Sequence, residues 1–185
     1  MHALALRRPE RITAPPSDDV GESLSLSLRL MWRASPIGWN GRAYHVEEDR
    51  KSVARVEFGA WNGSGGIVLD DQRLAITREG FWNPRFHLLR DLERVATAHS
   101  AGAFTRSFHL DHGGEEYRLD PSSVWSRSFS LTRRGSYLGR IASAGTFSRA
   151  ALIELDPELA PELRLFAFWM VALAWRRGAA VAAAT

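Results

Sequence analysis

The chain contains no cysteine. That removes disulfides, thiolate nucleophiles and thiolate-bound zinc or iron–sulfur centres from consideration, and it fits a reducing, cytoplasmic setting. Lysine is nearly missing too: Lys51 is the only one among 24 basic residues, the rest being arginine. Recognition of phosphate would therefore rest on guanidinium forks, which donate two parallel hydrogen bonds, and not on ammonium point charges. A Lys-poor, Ala-rich composition also follows from genome-wide bias, so arginine content alone assigns nothing. Long apolar runs are absent as well. Leu163 to Trp175 spans 13 residues, includes Arg164 and stops at Arg176-Arg177, short of the roughly 20 needed to cross a bilayer. The N-terminus turns charged after Leu6, which excludes the apolar core of a signal peptide.

Catalytic motifs are missing in the same way. No G-x-S-x-G elbow occurs. Asn62-Gly63-Ser64-Gly65-Gly66 is glycine-rich, but no Gly-Lys-Ser/Thr follows it, and it reads as a flexible inter-strand turn. His109-x-x-His112 is the single metal-like spacing; on a strand, residues three apart face opposite sides, so a solvated hairpin tip is expected. The acidic pairs Glu47-Glu48, Asp70-Asp71 and Glu115-Glu116 fall at turn signals, where solvated carboxylates are routine. Neither an enzyme nor a cofactor is expected.

What the chain does have is a repeat. Trp39, Trp82 and Trp125 are spaced 43 and 43 apart, as are Gly59, Gly102 and Gly145, each followed two residues later by Trp61, Phe104 or Phe147. Tyr44, Phe86 and Phe129 open alternating segments in the same register, and Ala54-Arg55, Ala96-Thr97 and Gly139-Arg140 share one place. The three tryptophans are expected to pack equivalently, and the three glycines to sit at equivalent bends or bulges. Hairpin chemistry recurs inside each unit. FHLLR and VATAH flank Asp91-Leu92-Glu93, FSLTR and YLGRI flank Arg134-Gly135-Ser136, IVLD and RLAIT flank Asp71-Gln72, and FHLD and EEYRL flank His112-Gly113-Gly114. Four strands in each of the first two repeats, three in the last, and one from Ser23 to Leu30 make twelve.

After Asp156 the period changes. Asp156-Pro157 reads as a cap with proline at the first helical position, and Pro161 as a second start after one short turn. Leu163 to Trp175 is apolar around nearly the whole circumference, with Gly178 as a stop. Such a helix must be surrounded by protein or lipid. Residues 1–22 read as a flexible leader, 23–178 as one domain with its helix at 158–177, and 179–185 as a tail. The fold expected is mainly β: a closed antiparallel barrel of twelve strands whose bore, too wide for side chains to fill, holds the helix.

These repeated strand-turn-strand units, FSLTRRGSYLGRI, the ALIELDPEL junction and the apolar terminal segment resemble the superfamily of tubby C-terminal domains, plant LURP-one-related proteins and phospholipid scramblases. The likeness runs over residues 24–177 and is closest to the small single-domain LURP-one-like members. It implies the same closed barrel with a central helix, and a non-enzymatic binder of anionic phospholipid or another phosphate-bearing ligand at a membrane surface. The cysteine-rich regions and acidic calcium segment of scramblases have no counterpart here, so lipid scrambling is not implied. Between Pro121 and Ile153 stand Arg127, Arg133, Arg134, Arg140 and Arg149 and no acid. These five form the candidate ligand patch, expected on one outer region of the barrel. A protein-interaction or structural barrel is the alternative. Nucleic acid is the less expected partner, since no recognition helix or RNP-like motif accompanies the arginines.

Overall fold

The computed structural model describes residues 31–38, 41–59, 63–102, 106–123, 127–145 and 148–182. Twelve strands form one closed antiparallel barrel in which each strand pairs with its sequence neighbours, and β1 (Met31–Ile37) closes on β12 (Ala151–Leu155). Repeat one supplies β2 (Ala43–Glu48), β3 (Lys51–Phe58), β4 (Gly65–Leu69) and β5 (Gln72–Glu79). Repeat two supplies β6 (Arg85–Arg90), β7 (Glu93–Ser100), β8 (Phe108–His112) and β9 (Glu115–Pro121). Repeat three adds β10 (Ser128–Arg133), β11 (Ser136–Ser143) and β12. The count of twelve is the one expected, eleven strands coming from the repeats, but the first strand lies at Met31–Ile37. The expected strand at 23–30, and the leader, lie outside the described residues.

The strands form because apolar residues alternate with polar ones, so one face of each is buried. In β3, Ala54, Val56 and Phe58 point inward; in β12, Ala151, Ile153 and Leu155 do. Three bulges break this alternation at equivalent places. In β3, β7 and β11, Val53, Val95 and Leu138 are the extra residues, one per repeat, just before the paired Ala54, Ala96 and Gly139. A bulge adds local twist, and repeating it once per unit helps curl the sheet to closure.

Helix α1 (Pro161–Ala182) fills the bore. Pro161 is its first residue; Asp156 instead closes a separate turn, its carboxylate accepting from Glu158 N at 2.9 Å. Every residue from Leu163 to Trp175 is buried. Phe166, Trp169 and Met170 are wholly enclosed and Leu173 nearly so. Trp169 stacks on Phe58, meets Phe86 edge-on, and donates Nε1–H to Glu57 O at 3.1 Å. Tyr44, Phe86 and Phe129, the aromatic column of the repeat, are all buried in this core. Gly178 does not stop the helix, which continues to Ala182 and so takes in part of the expected tail. Glycine inside a helix costs about 1 kcal/mol, which is not enough to end one.

The two ends of the barrel differ. At one rim, five two-residue turns join β2–β3, β4–β5, β6–β7, β8–β9 and β10–β11, with both central residues at positive φ in every case. This left-handed pair matches the twist of a hairpin. The turns centre on Asp49-Arg50, Asp70-Asp71, Asp91-Leu92, Gly113-Gly114 and Arg134-Gly135. Longer connections form the other rim. The helix enters at the tight-turn rim, where Glu162 bonds Arg90 at 3.0 Å, and emerges at the loop rim, where Arg176 bonds Gly41 O at 2.8 Å.

The glycines Gly59, Gly102 and Gly145 sit at strand exits on the loop rim, not in the bulges. Repeats two and three share their closing bonds: Ser100 Oγ donates to Gly102 O and Ser143 Oγ to Gly145 O, both at 2.7 Å. Ala101 N bonds Ser107 O, and Ala144 N bonds Ala150 O. In repeat one the connection is shorter, closing from Gly59 N to Ser64 O. Trp39, Trp125, Trp61, Phe104 and Phe147 lie outside the described residues. Trp82 is 92% exposed, so the expectation that it packs is wrong.

Candidate functional site

The helix fills the bore without sealing the loop rim. A cavity of about 710 Å³ lies beside its emerging end. Its floor is apolar, made by Ala172, Ala174, Trp175 and Tyr44. Its charged groups are Arg106, Arg127, Arg149 and Arg176, and no carboxylate is among its described lining residues.

Each arginine arrives from a different element. Arg106 lies in the β7–β8 connection and Arg149 in the β11–β12 connection, 43 residues apart and so at the same place in repeats two and three. Arg127 ends the β9–β10 connection, and Arg176 follows the last buried turn of α1. Three of the guanidiniums are stacked on core rings: Arg106 over Phe129 at 5.3 Å, Arg127 over Trp175 at 5.1 Å and Arg176 over Phe58 at 4.9 Å. Main-chain carbonyls fix two of them further, Ser148 O for Arg127 at 3.2 Å and Gly41 O for Arg176. Stacking and hydrogen bonding orient the forks before any ligand arrives, which lowers the entropy lost on binding.

Two further polar groups face the same surroundings. Burial raises the pKa of Tyr44, while Arg176, Arg127 and Arg149 pull it the other way. The indole Nε1–H of Trp175 is buried with no hydrogen-bond partner, and an unpaired buried donor costs roughly 1–3 kcal/mol.

The five arginines expected to form one patch are split. Arg127 and Arg149 share this cavity. Arg133 and Arg134 lie at the opposite rim, at the tip of the β10–β11 turn, and Arg134 pairs with Glu115 at 3.2 Å. Arg140 stands on the outer wall against Glu154 at 2.5 Å, and that bond raises its pKa. A six-residue strand spans roughly 20 Å, so one hairpin places arginines at both ends of the barrel, and its neighbours β9 and β12 supply carboxylates to Arg134 and Arg140. Arg106 and Arg176 were not singled out in the sequence. The signal for Arg106 was present: Gly102-Ala-Phe-Thr-Arg106 and Gly145-Thr-Phe-Ser-Arg149 are the same motif one repeat apart.

The histidine pair separates as strand geometry requires. His109 stacks on His99, and His112 faces Glu162 of the helix. Among the described residues no group of three metal-ligating side chains occurs. A second cavity, at the tight-turn rim, has Arg90, Arg94, Asp111, His112 and Glu162 around it, and the Arg90–Glu162 pair already neutralises its centre. No helix among the described residues is long and apolar enough to cross a membrane. No family model, curated protein or solved structure matches the chain.

Proposed function

We propose that the protein is a non-enzymatic, tubby-like barrel that binds an anionic phospholipid headgroup, or another phosphate-bearing ligand, in the loop-rim cavity at a membrane surface. The observation that carries this reading is the convergence of Arg106, Arg127, Arg149 and Arg176, from four separate elements, on one apolar floor. Guanidiniums gathered at one place give a local positive potential that attracts an anion. The helix carbonyl end opposes an anion with about half a negative charge, which four guanidiniums outnumber. Guanidiniums stay protonated at any physiological pH and cannot exchange protons with a substrate. They suit holding a phosphate, not turning one over.

The test is titration of a soluble inositol phosphate, and of phosphatidylcholine vesicles with and without a phosphatidylinositol phosphate, into the protein and into the Arg106→Ala/Arg149→Ala double variant. Each charge-assisted contact is worth roughly 1.5–3 kcal/mol, so the double variant should bind at least about tenfold more weakly with an unchanged melting temperature. Affinity should also fall as salt rises, since screening acts over about 8–10 Å. Equal binding by both proteins would remove the cavity as the site.

A further inference from the structure

The β5–β6 connection, residues 80–84, is the feature that the anion site leaves unexplained. It carries two large aromatics in water: Phe81 is 78% exposed and Trp82 92%. They touch each other edge-to-face, with ring centroids 5.6 Å apart. Among the described residues the other exposed large apolar side chains give no comparable pair. Leu92 stands alone on a turn of the opposite rim, Tyr137 on the wall, and Met31 and Ile37 at opposite ends of β1. An aromatic side chain offers some 150–250 Å² for burial, so two held outward together form a contact surface with no intramolecular use.

The loop that carries them is anchored. Gly80 takes φ of +80°, a conformation that side chains other than glycine seldom adopt. Arg78 reaches over the turn, its Nη2 donating to Phe81 O at 3.2 Å. Beside it lies Arg177, stacked over Phe86 at 5.6 Å and made easier to deprotonate by burial and by the neighbouring charge of Arg78. Arg177 follows Arg176 of the cavity directly. The aromatic pair therefore projects from the same rim as the anion site, with cations at its base. The nearest acid in sequence, Glu79, is held by His87 at 2.9 Å.

We propose that Phe81 and Trp82 are a membrane wedge: the barrel docks end-on, loop rim down, with these rings in the headgroup–acyl boundary of an anionic bilayer while the arginines meet its phosphates. An aromatic tip above a basic collar matches that boundary layer by layer, because indole and phenyl rings settle at headgroup depth and cations gain from the negative surface just outside it. A protein groove would have to supply an apolar pocket and anionic rim of the same shape; a bilayer has both everywhere. The inference rests on the membrane reading above and adds its orientation and its apolar contact.

The experiment uses the full chain, vesicles of phosphatidylcholine with and without phosphatidylserine, and a soluble inositol phosphate. The Phe81→Ser/Trp82→Ser double variant should lose about tenfold or more in vesicle affinity, while keeping its melting temperature and its affinity for the soluble inositol phosphate. Lipids brominated near the headgroup should quench the wild-type fluorescence more than that of Trp82→Phe. Undiminished vesicle binding by the double variant, or quenching that does not depend on Trp82, overturns the wedge. Wild-type protein that binds inositol phosphate but no vesicle also overturns it and leaves the anion site standing. Binding of neither removes both.

Discussion

At the scale of single residues, two positions make exacting demands. Gly65 opens β4 against the helix residue Trp169. A β-carbon there would run into Glu57 O and lie 2.7 Å from Trp169 Nε1, the two atoms that bond each other across the core. Gly65→Ala should therefore cost roughly 1–3 kcal/mol, read as a lower urea midpoint. Gly66→Ala, whose β-carbon would meet only Leu74 O at 3.4 Å, should cost much less. The run Asn62–Gly66 is thus more than a flexible turn, because its last two glycines are strand residues and one of them seats a tryptophan. The second position is His99, stacked on His109 across β7 and β8. Burial first, then the charges of His109 and Arg85, hold its pKa below the ordinary 6.5; Glu116 acts weakly the other way. The unfolded chain therefore takes up this proton first as pH falls. Stability from this group is complete above the unfolded value and is lost as pH drops from there towards the folded one. Melting temperatures measured between about pH 7.5 and pH 5 should fall more steeply for wild type than for His99→Gln. Parallel curves would show that His99 does not titrate differently on folding.

At the scale of elements, the helix and the strands depend on each other. Phe166, Trp169 and Met170 present no surface to water, and the inward side chains of the strands have no other core to join. Trp169→Asp places an unpaired carboxylate there, costing several kcal/mol, and should abolish cooperative folding. Trp169→Phe loses mainly the bond to Glu57 O, and should fold with about 1 kcal/mol less stability. Circular dichroism during thermal unfolding distinguishes the two. A soluble, cooperatively folded Trp169→Asp variant would place the helix elsewhere than in the bore. The buried stretch of the helix tolerates one charge, Arg164, which lies 3.8 Å above the Trp32 ring while Glu48 accepts from that same indole at 2.9 Å.

At the scale of the whole molecule, the architecture was legible and the site was only half so. Strand number, strand order in the repeats and the enclosed helix all follow from features with long-range redundancy: a column repeated every 43 residues, or an apolar circumference. Element limits were less readable, since Pro161 competes with Asp156-Pro157 as a start and Gly178 fails as a stop. The arginine patch was misread for a different reason. Sequence adjacency in a hairpin says nothing about which end of a barrel a residue occupies, so Arg127 and Arg133, six residues apart, finish at opposite rims. The cavity is instead assembled by residues far apart in the chain, and only Arg106 and Arg149 carry a periodic trace of it.

The order of elements along the chain has its own consequence. A ribosome makes all twelve strands before α1, so the lining of the barrel exists for a time with nothing to line. Synthesis at some 5–20 residues per second leaves Tyr44, Val56, Ile67 and Phe86, all buried in the finished fold, waiting seconds for the segment that covers them. The pairing of β1 with β12 must wait as well, because it joins residues as distant as Met31 and Glu154, the most non-local contact in the sheet and the slowest kind to form. Until that last segment is made, the strands have no helix on which to bury their inward side chains.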